Sequence, residues 1–255
     1  MKSFLTPEKI KIMKIGGQKL AGILDKLESI ARPGINLLQI EKKAWQMIEK
    51  AGGYPGFAKV PGYSYATCLS LNDTLVHGVP KDYFLKEGDV LNIDIGLLYK
   101  KHNSDCAKSF IIRNKEQKNY KQKNIFLNTG KKALEKAISK AIAGNHVGDI
   151  SQAIQEKIEK QGFYCSRKYT GHGIGEKLHQ PPSIPCILRG KIADTPILKE
   201  GMALAIEVIY MLKKSETKIL ADGWTVKTQK GCLAACFEKM VLIRKSSPII
   251  LTDWK

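Results

Sequence analysis

The chain has 255 residues, with 42 Lys and Arg against 24 Asp and Glu and a formal net charge of +18. A content of 43% hydrophobic and 26% charged residues is that of a globular chain and excludes a disordered or fibrous one. No apolar run reaches the roughly 20 residues of a membrane span, and MKSFLTPEKIKIMK lacks the continuous apolar stretch of a signal peptide, so a cytoplasmic protein with no membrane partner is expected.

In chain order, Thr6-Pro7-Glu8 is a helix start: a capping hydroxyl, a proline at the first helical position and an acid at the positive end of the dipole. Apolar residues recur at helical spacing through Ile23, Leu24, Leu27 and Ile30, and Arg32-Pro33-Gly34 ends the helix. A second amphipathic helix is expected from Leu37 to Lys50, closing at Gly52-Gly53. From Val60 to Ile112 the chain turns to short β-branched and aromatic runs broken by Pro, Gly and Asn-Asp, the pattern of strands. Helical periodicity returns over 121–143 and 149–160, and residues 164–250 are strand-like again.

Helices then strands, twice over, suggests one catalytic domain over 1–255 built from duplicated halves, roughly 1–113 and 114–255. LKEGDVLNIDI (85–95) and LKEGMALAIEV (198–208) share six of eleven letters, and IEKAG (48) and IEKQG (158) recur at nearly the same offset. The matched strands carry Asp94 and Glu207 at equivalent positions, each between Ile or Val neighbours. A carboxylate inside an apolar strand is costly unless paired or metal-bound, and finding it twice points to a site between the halves. Asp105 follows Asp94 at the distance expected of antiparallel strands joined through LYKKHNS; Glu238 sits in the apolar run AACFEKMVLI, and His172 in TGHGIG. Any one of these acids alone reads as a salt-bridge partner for one of the many lysines, whereas the five together read as two divalent ions (Mn, Fe(II), Co or Zn) sharing bridging carboxylates. The six cysteines show no C-x-x-C spacing and read as reduced, buried small hydrophobes.

Asp94, Asp105, His172, Glu207 and Glu238, with His77 in VHGVP and His179 seven residues after His172, resemble the type I methionine aminopeptidases along essentially the whole chain. The resemblance implies the pita-bread α/β (α+β) fold, a pseudo-twofold pair of halves with a mostly antiparallel central sheet. It implies Asp94 on one ion, Asp105 and Glu238 bridging, and His172 and Glu207 on the other. The implied reaction removes the N-terminal methionine of nascent proteins and peptides, preferring a small second residue, by attack of a metal-bridging water with Glu207 as proton acceptor and His77 and His179 on the scissile amide. Phe57, Tyr63, Cys68, Leu178 and Trp224 fall at the methionine-pocket positions, with Asp222-Gly223 suggesting a turn that exposes the Trp224 ring. The chain departs from the family at Cys236, where Gln is usual, at Leu178 for a common Phe, at Cys106 for a hydroxyl residue, and in the loop SIPCILRG. None of these is a metal ligand.

An X-Pro aminopeptidase or prolidase on the same fold would carry a further N-terminal domain, for which Asp94 comes too early. A non-catalytic pita-bread binding protein would be expected to lose ligands. A basic RNA-binding protein is suggested only by the charge: 37 Lys stand beside 5 Arg, no RNA-binding motif is present, and no specific DNA partner is expected. Lys115, Lys118, Lys121, Lys123, Lys131, Lys132, Lys136 and Lys140 have only Glu116 and Glu135 against them, a balance of 8 − 2 = +6, which suits electrostatic association with ribosomal phosphates or a solvated surface equally. A monomer is expected.

Overall fold

A computed structural model of the chain describes residues 5–112 and 120–255. Helix α1 (Pro7–Ile30) begins as its sequence dictates, the Thr6 hydroxyl accepting from Lys9 N at 3.3 Å with the proline in the first turn. Helix α2 (Leu37–Lys50) is capped by Asn36, whose side chain accepts from Leu38 N while Gln39 reaches back to Asn36 N. Five strands follow: β1 (Tyr54–Pro55), β2 (Thr67–Leu71), β3 (Thr74–Val76), β4 (Val90–Tyr99) and β5 (His102–Ile111). Helices α3 (Tyr120–Ile138) and α4 (Val147–Glu159) precede β6 (Tyr164–Cys165), β7 (Thr170–Gly173), β8 (Gln180–Pro185) and β9 (Ala203–Met211). The chain closes with β10 (Thr217–Ile219), β11 (Val226–Thr228), β12 (Ala234–Leu242) and β13 (Ile249–Ile250).

Two helix boundaries differ from the periodicity. α3 stops at Ile138 rather than continuing to 143, because Ala143 N leaves the helix to bond Arg244 O and Gly144 takes a left-handed φ of +97°. α4 starts at Val147 rather than at Asp149, whose carboxylate instead accepts from His146 N at 2.8 Å and closes the first turn.

The strands form one ten-stranded sheet along the path β1-β4-β5-β12-β9-β7-β8, with β2, β6 and β13 at its flanks, and a small sheet β10-β11-β3. Every strand pair in both is antiparallel. The β4–β5 hairpin turns at Lys100 and Lys101, both left-handed (φ +47° and +67°), as a two-residue turn matching strand twist requires. Helix α1 packs on β4 and β5, and α3 on β9 and β12. Alternation then divides the side chains between two faces. Ile93, Ile95, Ile206, Val208, Tyr210 and Phe237 join the helix-side core, while Asp94, Asp105, Glu207 and Glu238, one position out of phase, face the other way. Gly130 in α3 makes the close approach possible: a Cβ there would lie 2.5 Å from the Tyr210 hydroxyl and 2.6 Å from the Phe237 ring. Among the described residues no helix is long and apolar enough to cross a membrane.

Candidate metal centre and substrate pocket

Five adjacent strands each supply one polar side chain to the open face of the sheet. Asp94 (β4) is paired in register with Ala107 of β5; Asp105 lies two residues before that position, and Glu238 (β12) pairs with the same Ala107 from the other side. Glu238 is in turn directly opposite Glu207 (β9), and His172 (β7) is opposite Ala205, two residues from Glu207. Glycines let β7 come this close: a Cβ on Gly171 would stand 2.5 Å from Ala205 O and 3.1 Å from Glu207 N.

The electrostatics of this cluster are those of a cation site. Burial, followed by the mutual repulsion of the acids, holds Asp105 and Glu238 well above the carboxylate range; burial and then Asp94 do the same to Glu207, and burial brings Asp94 to about 7. Asp94 Oδ1, Asp105 Oδ1 and Glu238 Oε1 are buried without a hydrogen-bond partner. Burial and the neighbouring His179 lower His172 to about 4, so its imidazole is neutral near pH 7. Its Nδ1 lies 3.0 Å from Gly173 O, which assigns the proton there and leaves the Nε2 lone pair facing Asp105 Oδ2 at 3.8 Å and Glu207 Oε1 at 3.7 Å. These gaps exceed a hydrogen bond, and they approach the roughly 3.0–3.5 Å edges that oxygen and nitrogen ligands adopt around a common ion with bonds of about 2.1 Å. Donor atoms of Asp94, Asp105 and Glu238 lie within 4.8 Å of one another, as do those of His172, Glu207 and Glu238, and those of Asp105, His172 and His179. The residues present therefore fit divalent cations, and the third grouping brings His179 nearer to the ligand set than its position in the sequence suggests.

Beside the acids, Phe57, Tyr63 and Cys68 are buried together with Leu178 and Trp224 packed against them. Phe57 can lie over β4 because Gly96 has no Cβ, which would fall 2.7 Å from the ring. The Tyr63 hydroxyl donates to Thr67 O at 2.7 Å and lies 3.3 Å from Cys68 Sγ, and α2 anchors this loop through Glu41, whose carboxylate accepts from Ala66 N, Thr67 N and the Thr67 hydroxyl. Trp224 sits on the turn expected, Asp222 accepting from Trp224 N and Thr225 N. Its ring, however, is half-buried rather than exposed: it meets Tyr63 edge-on at 5.1 Å and its Nε1 donates to Gly62 O. His77 has a left-handed backbone (φ +56°) and its ring stands edge-on to Tyr169 at 5.6 Å; burial and His179 lower its pKa, as burial lowers that of His179.

All twelve residues singled out in the sequence line one cavity of about 270 Å³. Val60 is a further wall residue that sequence reading passed over, since it reads as the first residue of a strand. Tyr169 and Glu41 were also missed; a buried acid at a core position of an amphipathic helix was the available signal for Glu41. Of the departures, Cys106 points to the helix side and is fully buried, and Cys236 is buried on the cavity side of β12 with its carbonyl accepting from Asn92 and Ser109.

Metallopeptidase family M24 matches residues 11–245, and the methionine aminopeptidase of Aquifex aeolicus is 39% identical over 251 residues, with 96% of each chain covered. The chain belongs to metallopeptidase family M24. Among solved structures, the methionine aminopeptidase of Thermotoga maritima aligns with a TM-score of 0.93 at 33% identity, covering 99% of this chain and 100% of that one. The prolidase of Pyrococcus furiosus aligns at 0.76 and 22% identity over 66% of its own length, a likeness of fold alone. As a member of a metallopeptidase family with the pita-bread fold, the chain is a hydrolase that binds divalent metal, and its acid and imidazole cluster supplies groups able to hold it.

Proposed function

We propose that this M24 chain removes the N-terminal methionine from nascent proteins and peptides with a small second residue, using two divalent ions held by Asp94, Asp105, His172, Glu207 and Glu238. The observation that carries the reading is the joining, in one cavity, of an orphaned carboxylate cluster with an apolar wall of Phe57, Tyr63, Cys68, Leu178 and Trp224. Methionine suits such a pocket because its polarizable sulfur packs well on aromatic edges and thiols. When bound, the ions supply Lewis-acid chemistry, lowering the pKa of water and polarising the carbonyl. Asp94, Asp105 and Glu238 hold the charge of the cluster in place. The Glu207 carboxylate takes the proton of the attacking water, a role supported by its place in the cavity beside His172 and Glu238. His77 and His179, neutral through burial, donate N–H bonds to the scissile amide and its carbonyl oxygen, and as the C–N bond breaks the proton taken up by Glu207 passes to the leaving amine. The ions are drawn from Co, Mn, Fe(II) and Zn, all compatible with one imidazole among four carboxylates.

The two halves, roughly 1–113 and 114–255, form a single duplicated domain. Support comes from the repeated order of two helices followed by strands, and from the seam where β5 meets β12 at Ala107 and Glu238. We place the protein in the cytoplasm as a monomer; its six free, buried cysteines suit a reducing compartment. Ribosome association through the basic segment is supported by exposed Lys121, Lys132, Lys136 and Lys140, whereas Lys131 is half-buried, Lys123 bonds Gly88 O, and Lys115 and Lys118 lie outside the described residues. Co-sedimentation with ribosomes should weaken steeply with salt and fall on charge reversal at Lys132, Lys136 and Lys140, with tripeptide hydrolysis unchanged.

The reading is tested by stripping the protein with chelator, restoring single metals and assaying Met-Ala-Ser beside an X-Pro peptide. Metal-dependent release of methionine alone is expected; preferential X-Pro cleavage overturns the assignment.

A further inference from the structure

Strand β9 carries Glu207 and is paired along its whole length by β12 on one edge. On its other edge β7 pairs only with Leu204 and Ala205, and β6 only with Tyr210 and Met211, so Glu207 sits in a gap between two partners. A buried strand edge cannot leave its peptide groups unpaired without cost. The gap is filled by a side chain. Cys186 Sγ donates to Glu207 O at 3.3 Å and accepts from Ile209 N at 3.4 Å, while Ile209 O accepts from Ser166 N at 2.8 Å. Thiol hydrogen bonds are weak but long, which suits a gap wider than a strand-to-strand contact. Cys186 is fully buried and lies in the SIPCILRG segment, directly after β8, the strand that begins beside His179 and pairs Ser183 with His172. One short segment therefore runs from His179, past His172, to the backbone of Glu207.

We propose that Cys186 is a positioning residue for Glu207: its thiol takes the place of the missing strand partner and holds the carboxylate at metal-binding spacing from His172 and Glu238. The proposal rests on the reading of Glu207 as a ligand and assigns a role to a residue outside the cavity. Without both hydrogen bonds, β9 is free to relax at Glu207, and the grouping of His172, Glu207 and Glu238 suffers before that of Asp94, Asp105 and Glu238.

The test is Co(II) titration of the full chain, followed by visible absorption and calorimetry, in the wild type, C186S, C186A and C186V. Serine keeps a donor and an acceptor; alanine and valine keep neither, alanine being smaller than cysteine and valine larger, so a loss common to both is not a volume effect. C186V and C186A should lose about tenfold in affinity for one of the two ions, with C186S restored to within about threefold of wild type. Circular dichroism establishes folding, and if C186V does not fold, the alanine and serine pair decides. Wild-type Co(II) affinity in the folded variants lacking the hydroxyl or thiol overturns the proposal, as does a serine variant as weak as alanine, which would leave only a packing role. A wild-type chain that takes up no Co(II) removes the metal-centre reading itself, a failure distinct from that of the Cys186 comparison.

Discussion

The acids of the cluster share an anomaly of definite sign: burial raises the proton affinity of all four, like-charge neighbours add to it at Asp105, Glu207 and Glu238, and a bound cation favours the charged form. Residues that hold the cation and residues that act on the substrate should therefore separate on mutation. Replacing Asp105 or Glu238 by Ala should remove a shared ligand, lower metal content measured by elemental analysis and abolish hydrolysis. His179→Ala should retain metal while lowering kcat by about 10²–10⁴, as expected for a group that interacts with the transition state. A Glu238→Ala protein that retains both ions would refute the bridging assignment. The proximity of His179 to Asp105 and His172 makes its metal content informative too: a loss of one ion there would make it a ligand rather than a substrate contact.

Among the elements, β7 is tightly constrained, because its position depends on the absence of side chains at two glycines. Gly171 lies against Ala205 O and Glu207 N, and Gly173 against Pro181 O at 2.3 Å from where a Cβ would be. The atoms in the way are backbone and cannot swing aside. Gly171→Ala should push β7 off β9, carry His172 away from Glu207, and destabilise the fold by about 1–3 kcal/mol, the usual range for overpacking. Chemical denaturation should show the lost stability, and metal titration a weakened site. By contrast, Gly22 of α1 has no atom within 4 Å of an added Cβ, and Gly22→Ala should stabilise the helix by roughly 0.5–1 kcal/mol.

At the scale of the whole molecule, the cluster links stability, metal and pH. A carboxyl whose folded pKa is raised binds its proton more tightly in the folded state than in the unfolded one, so its contribution to stability is lost as pH rises from the unfolded value toward the folded value. For Asp94 that window runs from about 4 to about 7, and Asp105, Glu207 and Glu238, raised in the same direction, act in the same sense. The metal-free protein should lose Tm across this range, and the gain in Tm on adding Mn(II) should grow from about pH 5 to about pH 7.5, since the ion replaces protons that are increasingly absent. Thermal melts with and without Mn(II) check this; a gain independent of pH would exclude proton competition at the cluster. Twelve of the residues that line the cavity could be singled out in sequence because an acid in an apolar strand and glycines around a histidine break local patterns, and because their order resembles one family along the chain. The start of α1 was legible for a similar local reason, Thr6 and Pro7 acting within one turn. What only the tertiary structure decided depends on partners distant in sequence. The end of α3 is set by Arg244, the half-burial of Trp224 by Tyr63 and Gly62, and the place of Cys186 by a gap between β6 and β7 along β9. Backbone hydrogen bonding must be completed wherever the strands happen to stop, and no pattern within residues 179–186 records which carbonyl and amide are left for a thiol to satisfy.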